Sequence, residues 1–300
     1  MLTTRFAPSP TGYLHLGHAA AALFAWRHAR TAPASQGGGR FLLRLEDIDP
    51  TRCTAAYAEA IAEDLAWLGL TWDGAVRIQS AHLPDYRAAL ERLAARDLLY
   101  PCFCTRADIA REAARSAAAP HGPGPDGPGG ALYPGTCRRL SAAERAGRLA
   151  AGHPHALRLD IARATAEAIA IAGPLTYHER SEGRLACHPA RFGDIVLARK
   201  DAPASYHLCV THDDALQGVT LVTRALDLKP ATDIHRLLQT LLGWPEPHYA
   251  HHPMLCGADG KRLAKRDHAT TLRDLRAAGA TPAGILARAA IDLADPFRVA

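Results

Sequence analysis

The chain has 300 residues, which predicts one large domain with insertions or two closely packed domains, since single domains usually run to roughly 100 to 200 residues. Hydrophobic residues make up 48% and charged residues 22%, a globular composition, and no run reaches the roughly 18 uninterrupted apolar residues that a spanning helix requires. The net charge of +5 suits a polyanionic partner without demanding one, because thirty-one arginines against four lysines in an alanine-rich chain reflect compositional bias as much as function.

Residues 1–8 carry neither a basic segment followed by an apolar run nor an arginine-rich amphipathic pattern, so no export signal is read. The cytoplasm is the expected compartment, with no membrane association. A short strand is predicted over 3–7, ending in Pro8, Ser9, Pro10, Thr11 and Gly12, and a helix over 19–29. Residues 41–45 are apolar on both faces, as in a strand inside a parallel sheet, and Glu46, Asp47 and Asp49 leave its carboxyl end. Tyr57, Ile61, Leu65 and Leu68 share one helix face, with Gly69 to end it, and Tyr86, Leu90 and Leu93 share another. Strand and helix alternate at this rate when βα units build a parallel sheet, so residues 1–100 read as the first half of a Rossmann-like α/β catalytic domain.

The pattern changes at 101–190, which reads as an inserted subdomain. Residues 113–130 are mostly alanine, proline and glycine and predict a flexible loop, while 157–171 and 191–200 read as strands. The second half of the catalytic domain occupies 191–256. Within it the chain returns to the main fold at 206–211, and a buried strand at 219–222, a helix at 233–242 and a strand at 248–255 follow. The last stretch, 257–300, holds a polar basic loop at 257–266 and one or two helices.

Gly12, His15, Gly17 and His18 stand at the strand-to-helix crossing where a parallel sheet opens its ligand crevice. Glycine lets backbone approach a ligand, the helix N-terminus offers free N–H groups and a positive dipole, and the two histidines add directed donors, all suited to a triphosphate. The whole string from Arg5 to His18 resembles the HIGH motif of class I aminoacyl-tRNA synthetases, specifically the glutamyl and glutaminyl subgroup. Gly260 to Arg266 resembles the family's KMSKS loop, with Lys265 at the principal lysine. It departs in having Arg262 first, Ala264 for serine and Arg266 last. The resemblance implies that Pro8, Gly12, His15, Gly17, His18, Arg262 and Lys265 bind ATP, and that His15, His18 and Lys265 are catalytic by stabilising charge on the reacting phosphates.

An amino-acid substrate needs an acid for its ammonium and cations for its carboxylates, and arginine's planar fork suits the latter. By resemblance to glutamyl synthetases, Ser9 and Glu46 hold the amino-acid end and Arg5, Tyr206 and Arg224 share the two carboxylates. Phe6, Ala7 and Pro8 complete the wall. A structural ion pair between Arg44 and Glu46 is the competing reading for that acid. His207, His212, Asp213 and Asp214 near Tyr206 read as satisfied polar groups rather than as a metal or acid–base site. His251 and His252 are placed either near adenosine or at the surface.

Cys102, Cys104 and Cys137 supply three soft ligands, one short of a tetrahedral zinc site, with Tyr133 or a histidine such as His121 to complete it; otherwise they are buried thiols. Glutamyl-queuosine tRNA synthetases, short relatives of glutamyl-tRNA synthetase, have a similar Cys-x-Cys and Tyr-x-x-x-Cys arrangement, which implies Tyr133 as fourth ligand of one structural zinc. The few residues after Asp267 leave no room for an anticodon-binding domain, which selects that branch. The resemblance then implies L-glutamate, ATP with magnesium, and tRNA(Asp) carrying queuosine as partners: glutamyl-adenylate forms, and a hydroxyl of the queuosine base takes the glutamyl group. A truncated synthetase charging a tRNA 3′ end and a non-catalytic RNA-binding descendant are the alternatives.

Overall fold

The structure is a computed structural model that describes residues 1–105, 107–111, 126–128, 130–255 and 270–292. The chain begins with β1 (Leu2–Phe6), crosses through α1 (Leu16–Arg30) and returns as β2 (Gly39–Leu45), which pairs with β1 in parallel from Leu2 opposite Gly39 to Phe6 opposite Leu43. Alanine is the best helix former and the smallest apolar side chain, so α1 can lay Ala19, Ala22, Leu23 and Phe24 into one core with Phe41 and Leu43. The approach is so close that a Cβ on Gly39 would stand 2.0 Å from the Ala29 carbonyl oxygen, which leaves only glycine able to start β2 there. Thr54 caps α2 (Ala55–Trp67) by accepting the Tyr57 N–H, and Ile61 and Leu65 join the same core. β3 (Arg77–Ile78) pairs with β2 in parallel, and α3 (Leu83–Ala94) buries Tyr86, Leu90 and Leu93 as predicted.

β4 (Leu99–Cys102) leads into the segment that the sequence reads as an insertion. Most of the predicted loop 113–130 lies outside the described residues, but β5 (Asp126–Gly127) and β6 (Gly130–Ala131) pair as a small hairpin at its end. After α4 (Ala142–Ala150), β7 (Ala156–Leu159) lies antiparallel to β4. The strand read over 157–171 holds only for its first residues. Asp160 accepts the Arg163 N–H as N-cap of α5 (Ile161–Ala172), which buries Ile161, Ala164 and Ala168 on one face and ends at Gly173. The capped, alanine-rich segment outweighs the strand preference of its isoleucines. β8 (Thr176–Glu179) and β9 (Gly183–Ala186) form a hairpin, and β10 (Val196–Ala198) completes a three-stranded antiparallel sheet with β7 and β4. The strand predicted over 191–200 is shorter than expected, because Pro189–Phe192 turns as a 3₁₀ helix.

Then follow α6 (Tyr206–Leu216), β11 (Leu221–Ala225), α7 (Thr232–Leu242) and β12 (His248–His252). α7 ends at Gly243, whose φ of 67° is the left-handed conformation that glycine adopts without cost. β11 and β12 are parallel, and β12 also pairs with β8, so the end of the segment read as an insertion contributes to the main sheet. The Thr220 N–H donates to the Thr3 carbonyl at 3.0 Å and its hydroxyl accepts the Thr3 N–H at 2.9 Å, setting β11 beside β1. The layout is therefore β3-β2-β1 followed by β11-β12-β8-β9, with the strand order reversing between β1 and β11. α8 (Leu272–Ala277) and α9 (Pro282–Ala289) close the described chain, with Leu272 and Ile285 in the core around α1. No helix among the described residues is long and apolar enough to cross a membrane.

Candidate functional site

Where strand order reverses, neighbouring loops diverge and leave a crevice outside the carboxyl ends of the strands. A cavity of about 940 Å³ occupies that position. Arg5 to Ser9 line it from the end of β1, His15, Gly17 and His18 from the start of α1, Glu46 from the end of β2, Tyr206 from α6 and Arg224 from β11. Of the other predicted phosphate residues, Gly12 is not among the lining residues, and Arg262 and Lys265 lie outside the described residues. The chain before and after that basic segment is nevertheless at the cavity: Met254 and Leu255 line it, and Thr271 bridges His15 while the Leu272 N–H donates to the Leu14 carbonyl at 2.7 Å.

His15 is the N-cap of α1. Its Nδ1 accepts the Gly17 N–H at 3.1 Å, and the His18 Nδ1 accepts the His15 N–H at 3.2 Å. A ring nitrogen that accepts carries no proton, so each neutral imidazole holds its proton on Nε2. The rings lie with centroids 3.8 Å apart. The cap thus fixes both tautomers as Nε2 donors beside a helix N-terminus, the arrangement an anion needs.

The arginines of the site are held by opposite means. Arg5 spans Asp214 with both edges of its fork, Nε to Oδ1 at 2.9 Å and Nη2 to Oδ2 at 3.3 Å, and donates Nη1–H to the Thr223 carbonyl. Arg44 pairs with the same carboxylate at 2.6 Å rather than with Glu46 as the competing reading had it. Next along α6, Asp213 meets the His212 ring at 3.1 Å and Arg44 at 3.8 Å and accepts from Gln79, Arg77 and Tyr86. Burial opposes ionisation of both aspartates, but these partners outweigh it and hold the carboxyls below their ordinary range. Asp213 and Asp214 are therefore structural, as the sequence suggested. Arg224 instead donates to neutral groups, Nη1 to His235 Nδ1 at 2.9 Å and Nη2 to Thr232 Oγ1 at 2.7 Å.

Glu46 is the buried acid of the cavity wall, which Asp227 also lines. Burial pushes its carboxyl up to about 7, with Arg44 and Arg5 pulling down and Asp214 and Asp213 pushing up. A buried carboxyl with its proton so loosely set is ready to ionise against an incoming ammonium. Burial also raises the Tyr206 phenol, with Arg224 beside it as the main opposing influence. His251 is neither surface nor cavity wall: it is 1% exposed, and its Nδ1 meets Glu179 at 2.6 Å. His252 does line the cavity.

Sequence reasoning missed the wall residues Asp227, Leu228 and Met254, together with His235 behind Arg224. The signal available for Asp227 and Leu228 was their place in the loop that follows strand 221–225 at its carboxyl end.

A second cluster stands between the end of β4 and α4. The sulfurs of Cys102, Cys104 and Cys137 lie within 4.8 Å of one another, and the Tyr133 hydroxyl is 3.4 Å from Cys102 and 3.6 Å from Cys104. Ligands about 2.3 Å from a tetrahedral zinc stand roughly 3.8 Å apart, close to the 3.4 Å between Cys104 and Cys137. The Cys137 N–H donates to the Tyr133 oxygen and the Phe103 N–H to the Cys137 sulfur, contacts that favour anionic ligands. These four side chains could hold a metal. The alternative fourth ligand, His121, lies outside the described residues.

A family model for class I (E and Q) tRNA synthetases, catalytic domain, matches residues 1–289. The chain is 50% identical to a glutamyl-Q tRNA(Asp) synthetase of Rhodobacter capsulatus, over 95% of this chain and 98% of that one. It is 37% identical to a glutamate–tRNA ligase of Aquifex aeolicus, over 93% of this chain and 54% of that one. Among solved structures it is similar to a glutamate tRNA ligase from Elizabethkingia meningosepticum in complex with its amino acid, with a TM-score of 0.71 and 27% identity. That match covers 89% of this chain and 52% of the other, so the chain spans about half the length of the ligase. The chain belongs to the class I tRNA synthetases of the glutamyl and glutaminyl group, whose catalytic domain it carries.

Proposed function

We propose that the chain activates L-glutamate with ATP and transfers the glutamyl group to queuosine in the anticodon loop of tRNA(Asp). The observation that carries the amino-acid half is the meeting of Glu46 with Arg5, Arg224 and Tyr206 in one cavity. A dicarboxylic amino acid needs one acid and two cationic or hydroxyl partners, and this wall offers both. The acceptor half rests on the similarity to the relative from Rhodobacter capsulatus, which bears that activity in its name.

In the proposed reaction the α-carboxylate of glutamate attacks the α-phosphorus of ATP and pyrophosphate leaves, with magnesium offsetting phosphate charge. Glu46 and Ser9 hold the ammonium end, and Arg5, Tyr206 and Arg224 hold the carboxylates. His15 and His18 present Nε2–H groups to the phosphates, and Lys265 and Arg262 take the charge that moves onto pyrophosphate. A hydroxyl of the queuosine cyclopentene ring then attacks the mixed anhydride and AMP leaves. No side-chain nucleophile is needed, because the adenylate is already activated and catalysis is positioning plus charge stabilisation.

We assign Cys102, Cys104, Tyr133 and Cys137 to one zinc ion that closes the subdomain. Three thiolates and a phenolate leave no open position, as in structural rather than catalytic sites.

The test is transfer of labelled glutamate, with ATP, to tRNA(Asp) with queuosine, to the same tRNA without it, and to glutamate tRNA. Label confined to the queuosine-containing tRNA, and retained after its 3′-terminal adenosine has been removed beforehand, is the expected result. Label on glutamate tRNA would make the chain a charging synthetase instead.

A further inference from the structure

Arg5 and Arg224 stand on adjacent strands in the same cavity, yet their charges are treated differently. Asp214 spans the Nε and Nη2 of Arg5, whereas none of the described carboxylates pairs with Arg224. We propose that His235, backed by His207, is a positioning residue that holds Arg224 without neutralising it, so that Arg224 keeps its full charge for a substrate carboxylate. This rests on the glutamate reading above and deepens it.

The geometry gives the relay one direction. A guanidinium only donates, so the His235 Nδ1 that it meets at 2.9 Å must carry the lone pair, and the His235 proton sits on Nε2. That Nε2 lies 3.2 Å from the His207 Nδ1, which therefore accepts, and the His207 proton in turn sits on Nε2. Thr232, three residues before His235 on α7, takes the other terminal nitrogen at 2.7 Å. Two anchors on one helix face fix the plane of the guanidinium, and the Tyr249 ring lies beneath it at 5.5 Å. The Arg224 Nε–H has no partner among the described residues.

A neutral anchor is the physically required kind. A carboxylate at position 235 would hold Arg224 more strongly but would compete with the substrate for the same fork. Both rings stay uncharged at neutral pH, chiefly through burial and then through Arg224 itself, with His207 brought down to about 4. An imidazole held neutral supplies the acceptor and nothing else.

The test is glutamate-dependent ATP–pyrophosphate exchange by the full chain with His235→Asn, His235→Asp and His235→Leu, with folding followed by circular dichroism. Asparagine places its Oδ1 near the position of Nδ1 and should keep the glutamate KM within about threefold of native, whereas aspartate and leucine should raise it about tenfold or more, with the ATP KM unmoved. If leucine fails to fold, the asparagine and aspartate pair, nearly equal in volume, still decides. Native glutamate KM in a folded His235→Asp, or ATP and glutamate KM rising together, would overturn the proposal. Absence of glutamate-dependent exchange in the native chain would overturn the proposed function and this inference with it; native exchange with unmoved variants would overturn this inference alone.

Discussion

Glutamate binding should weaken as pH falls through neutrality, and Glu46 sets where. Its carboxyl is held up at about 7 in the free cavity, chiefly by burial, so half of the molecules carry a proton there at neutral pH. The substrate ammonium favours the ionised form, so binding expels that proton. The sign follows: affinity is full above pH 7 and falls as pH drops below it. Relative to pH 8, the dissociation constant should rise about twofold at pH 7 and about tenfold at pH 6, one factor of ten per pH unit beyond the transition. The carboxylates of glutamate titrate below about 4.5, and His207 and His251 are brought down to about 4, mainly by burial. Calorimetric titration of glutamate without ATP, in two buffers of different ionisation enthalpy, gives both the affinity and the protons released. In Glu46→Gln the pH dependence should vanish and binding should weaken by about 3 kcal/mol, the cost of leaving an ammonium buried without its partner. A dissociation constant that is flat from pH 6 to pH 8 in the native protein would refute the assignment of Glu46 to the ammonium.

Three further outcomes are expected. Asp214→Asn removes the common partner of Arg5 and Arg44, three groups no more than 8% exposed, and should lower the unfolding free energy in urea by about 3 to 5 kcal/mol; an unchanged midpoint would show that the pairs contribute nothing. Chelation should release one zinc and make residues 100–140 sensitive to protease while pyrophosphate exchange persists, and exchange that stops with the fold intact would move the cluster into the chemistry. Lys265→Ala should cut exchange by roughly a hundred- to a thousandfold, the usual effect of losing one charge-stabilising group, and activity close to native would remove that lysine from the reaction.

The parts of the site that were legible in the sequence are those in which chemistry and local structure share a short segment. From Arg5 to His18 the strand, turn, cap and both histidines are contiguous, so most of the pattern, though not Gly12, lines the cavity. The helix faces of α2 and α3 were equally local, since Ile61, Leu65, Tyr86, Leu90 and Leu93 all follow helical spacing and all are buried. What could not be read are the partners. Arg5 meets Asp214 across 209 positions, and Arg44 meets Gln217 across 173, distances over which no periodicity carries information. The anchor on Arg224 is nearer in sequence, but His235 on an amphipathic helix looks like any polar residue until β11 is placed beside it. The segment 157–171 differs from its expected strand because Asp160 caps a helix there and Gly173 ends it.

The buried ion pairs are best understood through what α6 has to do. Tyr206 opens that helix at the cavity, and Asp213 and Asp214 lie about 11 Å further along it at 1.5 Å per residue. There they take Arg5 from β1, Arg44 from β2 and Arg77 from β3, so one helix is tied to three strands of the sheet. Replacing such a network with apolar side chains of similar volume often leaves stability unchanged or raises it, because desolvating the charges offsets their attraction. Stability is therefore a poor reason for these five charged groups, and geometry is a better one. An apolar contact tolerates sliding, whereas a fork paired with a carboxylate at 2.9 Å has one register. Pinning α6 at its far end fixes Tyr206 against Arg224, and pairing Arg5 with Asp214 fixes the opposite wall. The cavity is in this way shaped before any ligand arrives, which is what catalysis by positioning requires.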